Sequence, residues 1–114
     1  MKSIILAAGT GSRLFPYTSD TPKCMIKFNK KPLLNYQIEV LKKLNITDIN
    51  IICGYKNEKI KNKNLNKILN PYYLETNMVY SLFCANKIMT DDEDFLITYG
   101  YIIYEQKIIE NLLY

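Results

Sequence analysis

Histidine and tryptophan are absent from this chain, and arginine occurs once, at Arg13. Without histidine there is no imidazole base and no histidine-based triad. Cysteine is scarce as well. Cys24, Cys53 and Cys84 are odd in number, far apart and without a CxxC pair. A zinc site or a disulfide framework is therefore not expected, and free, mostly buried thiols are. No apolar run approaches the roughly 20 residues of a membrane span. The stretch Ile4-Ile5-Leu6 is too short for a signal-peptide core and runs into a glycine loop. These absences lead us to expect a cytoplasmic location and no membrane partner.

The positive charge is modest: +4 formally, with all but one of the 15 basic residues being lysine. The densest basic stretch is Lys56 to Lys67, interleaved with asparagine. A nucleic-acid patch there would bind in a salt-sensitive way. A solvated polar segment explains the same residues, so no nucleic-acid partner is expected. With 114 residues and 48% apolar content, the chain suffices for one domain, 1–114, around one core.

Periodicity alternates between strand and helix. Ser3–Leu6 reads as a buried strand, followed by a loop over Ala7–Ser12. Pro16 and Pro22 keep the next segment irregular. Pro32 suits a first helical turn, and Leu34, Ile38, Leu41 and Leu44 recur at helical spacing with Lys42 and Lys43 outward. Asn45 suits a left-handed helix end. Ile49–Cys53 reads as a second buried strand, Lys67–Leu69 as a short edge strand, and Phe95–Thr98 as another strand. Met78–Met89 reads as one helix with Val79, Leu82, Phe83 and Ile88 on its apolar side. Ile108, Ile109, Leu112 and Leu113 mark a last amphipathic helix. The alternation implies parallel strands with right-handed crossovers, an α/β fold of three layers, α/β/α and Rossmann-like. Ligands in such sheets sit at the carboxyl ends of strands. The loops at Ala7, at Gly54-Tyr55 and at Tyr99–Tyr101 all follow strands.

The central motif runs Leu6-Ala7-Ala8-Gly9-Thr10-Gly11-Ser12-Arg13-Leu14, with Pro16, Thr18 and Pro22-Lys23 beyond it. Gly9 and Gly11 let the backbone approach a phosphate, and the amides of Gly9 to Ser12 can form an anion-binding nest. Ala7 and Ala8 leave a small-walled slot for a nucleobase. Arg13 can grip phosphate oxygens in a fork that no lysine reproduces. Lys23 can add a mobile point charge. A tight strand–helix turn would explain Gly9-Thr10-Gly11 alone, but not the added Arg13, Pro16, Pro22 and Lys23. The loop lacks the Gly-Lys-Ser/Thr of a Walker motif, and Leu14 stands where a dinucleotide fingerprint has a third glycine or alanine.

This run, Leu6 to Lys23, resembles the signature of sugar-phosphate and choline-phosphate nucleotidyltransferases. The resemblance continues in Lys31-Pro32-Leu33-Leu34, in Asn77–Leu82 and in Leu96–Gly100. It implies that a nucleoside triphosphate and a phosphorylated small molecule react, with in-line attack on the α-phosphorus and release of pyrophosphate. The segment Asn77–Leu82 is similar to the cytidylyltransferase branch, which implies CTP and a phosphocholine-like acceptor. UTP or dTTP with a sugar 1-phosphate is the alternative. Arg13 and Lys23 become electrostatic catalytic groups, and Leu6, Ala7, Ala8, Gly9, Thr10, Gly11 and Ser12 join them in binding the nucleotide. Asn77 and Ser81 either contact base or sugar, or merely cap a helix and meet solvent. Tyr55 either walls the pocket or packs at its rim.

The resemblance also implies Mg²⁺ held by an aspartate. At that position this chain has Tyr101, a poor magnesium ligand, so the metal site is expected to be incomplete. Asp91, Asp92, Glu93 and Asp94 fall at the other end of their strand, and nothing links Glu105 to the site. Family members run to roughly twice this length. The chain is accordingly expected to be a fragment, a truncated relative or a piece needing a complementary chain, to self-associate, and to show little turnover alone. A non-catalytic nucleotide-binding relative is the competing reading.

Overall fold

The computed structural model describes residues 1–90, 93–102 and 105–113. Isoleucine-rich segments form the centre of the sheet. β1 (Lys2–Ala7) and β4 (Asp48–Cys53) run parallel, in register from Lys2 opposite Asp48 to Ala7 opposite Cys53. β5 (Asn66–Leu69) flanks β4, and β6 (Phe95–Tyr99) flanks β1, both parallel. The strand order is β5-β4-β1-β6, so β5 and β6 are the edges among the described residues. A parallel sheet buries both faces, which is why Ile4, Ile5, Ile51 and Ile52 are fully enclosed.

Successive residues point to opposite faces. Ile5, Ile49, Ile51 and Leu96 meet Leu34, Ile38 and Leu41 of helix α1 (Leu33–Lys43) and Ile109 of α3 (Gln106–Leu113). On the other face, Ile4 and Ile52 meet Ala85, with Leu82 of α2 (Met78–Phe83) alongside. The layers are thus α1 and α3, sheet, then α2, as the alternation implied. Asn45 ends the α1 turn at φ 61°, in the left-handed region expected of it.

Three local readings need correction. The segment after Pro22 contains a small hairpin, β2 (Lys27–Phe28) with β3 (Lys31–Pro32), turned by Asn29 and Lys30 at φ 50° and 66°. Positive φ at both central residues is the turn that matches strand twist. Second, the expected helix Met78–Met89 stops at Phe83, and a separate 3₁₀ turn covers Asn86–Ile88. Its expected apolar side is split: Val79 is 61% and Phe83 68% exposed, while Leu82 and Ile88 pack against the core. Polar anchoring sets the rotation of α2 instead. Asn77 Oδ1 accepts the amides of Val79 and Tyr80, and buried Ser81 accepts from Asn70 Nδ2 at 3.0 Å. Third, α3 turns Ile109 inward but leaves Ile108 and Leu112 exposed.

Candidate functional site

The carboxyl ends of β1 and β6, the turn after β5 and the start of α2 converge on one cavity of about 290 Å³. Its floor is Leu6, Ala7, Ala8, Gly9 and Gly11. Lys23 and Cys24 close one side, and Tyr73, Thr76, Asn77, Met78 and Ser81 another. Tyr99, Gly100 and Tyr101 complete the mouth. The volume is near the lower end for small-molecule sites, and the position is where parallel α/β sheets bind ligands.

Each wall has a local cause. Gly11 sits at φ 64°, and the Thr18 hydroxyl donates to its carbonyl at 2.7 Å. Thr18 is itself fully buried, so the loop is braced from beneath. Gly9 differs: a Cβ built there meets nothing within 4 Å. Internal packing does not require a glycine at that position, whereas a ligand lying against the backbone would. Gly100 donates its amide to the Leu6 carbonyl at 3.0 Å, and a Cβ there would lie 2.9 Å from that of Ala7. Lys23 opens a 3₁₀ turn behind buried Pro22, and its ammonium lies 4.0 Å from the centroid of the Tyr101 ring, a cation–π distance. Tyr99 and Tyr101 pack at 5.8 Å between centroids.

Of the residues singled out in the sequence, Leu6, Ala7, Ala8, Gly9, Gly11, Lys23, Asn77 and Ser81 line this one cavity. Thr10, Ser12 and Arg13 lie outside its lining. Arg13 stands exposed in the 3₁₀ turn Ser12–Leu14 and forms no ion pair among the described residues. Tyr55 is not a wall. Its hydroxyl donates to the Thr18 and Ser19 carbonyls, and its ring meets Tyr73 edge-on, so it props the loop and a wall residue. Asn77 spends its Oδ1 on capping, while its Nδ2 makes no hydrogen bond among the described residues. Ser81 is buried rather than solvated.

Reading the sequence missed Tyr73, Thr76, Met78 and Gln37. Gln37 lies on the inner stripe of α1, where a polar residue among Leu34, Ile38 and Leu41 was the available signal. Its Nε2 donates to the carbonyls of Tyr99 and Ile102, and its Oε1 accepts from Thr98 Oγ1. Cys24 is deep in the wall. Burial, with Cys53 nearby adding to it, pushes its thiol up to about 12, so it is no nucleophile.

The magnesium ion implied by the resemblance does not fit these residues. The lining holds hydroxyls, amides, one thiol and one ammonium, but no carboxylate. No cluster of three or more His, Cys, Asp or Glu side chains occurs among the described residues. Glu93 and Asp94 lie at the amino end of β6, where the Asp94 carbonyl accepts from Lys2 N and Glu93 lies 3.8 Å from its ammonium. Asp91 and Asp92 lie outside the described residues. No helix is long and apolar enough to cross a membrane among those described.

A glycine-floored cavity at the carboxyl edge of a parallel sheet, with a lysine at its mouth, stands where α/β proteins of this architecture bind small ligands. The profile of the nucleotidyl transferase family matches residues 2–112. The CTP:phosphoglutamine cytidylyltransferase of Campylobacter jejuni is 42% identical over 99% of this chain and 48% of its own length. The choline-phosphate cytidylyltransferase of Streptococcus pneumoniae is 44% identical over 84% of this chain and 46% of its own. The solved structure of CTP:phosphocholine cytidylyltransferase from Streptococcus pneumoniae superposes with a TM-score of 0.79 at 34% identity, covering 93% of this chain and 49% of that one. The chain belongs to the nucleotidyl transferase family, and it spans about half the length of these relatives.

Proposed function

We propose that the cavity binds CTP, and that the chain is the nucleotide-binding part of a cytidylyltransferase acting on a phosphorylated, phosphocholine-like small molecule. The observation that carries this reading is Gly9, whose missing side chain nothing in the protein's own packing demands. The triphosphate would lie against the amides of Gly9 to Ser12, with Lys23 at the cavity mouth and the exposed Arg13 reaching over the loop to phosphate oxygens. Ala7 and Ala8 would flank the base, and the unused Asn77 Nδ2 would donate to a base or sugar oxygen. Two relatives whose names specify cytidylyl transfer support CTP over other nucleotides.

In the complete reaction the acceptor's phosphate oxygen attacks the α-phosphorus in line, the bond to the β-phosphate oxygen breaks, and pyrophosphate leaves. No covalent intermediate with the protein is needed. Positioning and charge neutralisation carry the rate. The acceptor would approach over the open mouth beside Tyr99 and Tyr101. We further propose that the chain self-associates or pairs with a complementary chain through β6. That strand is a sheet edge, and Ile97, Val79 and Phe83 are exposed beside an apolar recess of about 610 Å³.

Thermal unfolding with CTP, UTP, dTTP and ATP tests the nucleotide reading. At a hundredfold excess over Kd a bound ligand stabilises by about 2.7 kcal/mol, and CTP should give the largest shift. UTP or dTTP ranking first would move the assignment to a sugar 1-phosphate transferase. No shift with any of the four would end it. Pyrophosphate release from the 114-residue chain is expected to stay at background, because the cavity lining offers one cation and no carboxylate to hold a metal.

A further inference from the structure

The mouth of the cavity carries an arrangement whose chemistry differs from metal-assisted phosphate binding. No carboxylate lines the cavity, and the Tyr101 ring faces the Lys23 ammonium at 4.0 Å. The ring quadrupole attracts a cation without neutralising it. Lys23 therefore keeps its N–H donors for a ligand, while its side chain is held at the mouth. A divalent ion at the same place would meet that ammonium and no anionic protein oxygen.

We propose that this cavity takes the polyphosphate of its nucleotide free of metal, with the Lys23–Tyr101 pair supplying the counter-charge in place of a divalent cation. The inference rests on the nucleotide reading above and concerns the form in which the nucleotide enters. Free and metal-bound nucleotide compete for the site. Lys23 and a divalent cation seek the same phosphate oxygens, so excess Mg²⁺ withdraws the preferred ligand. The pair is a determinant of ligand form: a ring at position 101 selects the free polyanion, and a carboxylate there would pair with Lys23 and offer a ligand to the ion.

Calorimetric titration of the 114-residue chain with CTP, once in EDTA and once in excess Mg²⁺, tests this. Binding in EDTA should be at least as tight as in Mg²⁺. Lys23→Gln should weaken binding in EDTA by about tenfold. Tyr101→Asp, at a half-exposed position that the fold can spare, should reverse the preference, with Mg²⁺ tightening binding by about tenfold. Loss of affinity in EDTA by about twofold or more for the unmodified chain overturns the proposal while leaving the nucleotide reading intact. A Tyr101→Asp chain that ignores Mg²⁺ overturns the role given to Tyr101. Absence of heat in both buffers sinks the nucleotide reading itself, and the proposal with it.

Discussion

Gly9→Ala separates a residue kept for a ligand from one kept for the fold. The added methyl meets no atom within 4 Å, and Gly9 does not occupy the left-handed region. The folded state is therefore unstrained, and the unfolded chain loses freedom. Such a change stabilises by about 0.4–1 kcal/mol, which raises Tm by up to about 4 °C in a domain of this size. For bound nucleotide the sign reverses. A methyl group between backbone and phosphate pushes the phosphate off at least one charge-assisted amide contact, worth about 1.5–3 kcal/mol. CTP affinity should fall by about ten- to a hundredfold. Gly11→Ala is the control. Its φ of 64° and a Cβ 2.9 Å from Thr18 Cγ2 predict a loss of about 1–2 kcal/mol without any ligand. Thermal unfolding of the two apo variants, with CTP calorimetry on Gly9→Ala, makes the comparison. A Gly9→Ala chain that binds CTP as tightly as the parent, or unfolds several degrees lower, refutes the reasoning.

Two further outcomes are expected. Cys24 stays neutral when folded up to about pH 12, but ionises near the ordinary thiol value of 9.0 when unfolded. Above pH 9 the unfolded state therefore holds fewer protons, and stability should drop by up to about 1.4 kcal/mol per pH unit until about pH 12. Denaturant titrations at pH 8 and pH 10 check this, and a Cys24→Ala chain with the same loss would refute it. Light scattering should show the 114-residue chain as an oligomer, with Phe83→Asp shifting it toward monomer; a monodisperse parent monomer would count against the β6 surface.

The sheet was legible because isoleucine runs between turn residues admit little else, and because helical spacing in α1 is unambiguous. The floor of the site was legible too, since two glycines after a strand carry their own geometry. What misled was α2. Of the apolar residues expected to face the core, Leu82 and Ile88 do so, whereas Val79 and Phe83 face outward on a helix anchored by the Asn77 cap and the Ser81–Asn70 bond. Hydrophobic pattern registers neither the Asn77 cap nor a side-chain hydrogen bond made to Asn70, outside the helix. Tyr73 and Thr76 were invisible for a similar reason: they enter the cavity through the turn after β5, which has no periodicity to read. Arg13 shows the converse. Leu6 to Gly9 and Gly11 of its motif line the cavity, yet its own side chain stays outside the lining.

Gln37 joins regions that look independent. One amide on a scaffold helix ties down the last carbonyl of β6 and the carbonyl just past Tyr101. The aromatic gatepost is thereby suspended from the opposite layer of the molecule. Repacking around Gln37 would reach the entrance through these two hydrogen bonds, so that stretch of helix is not a purely structural one to engineer.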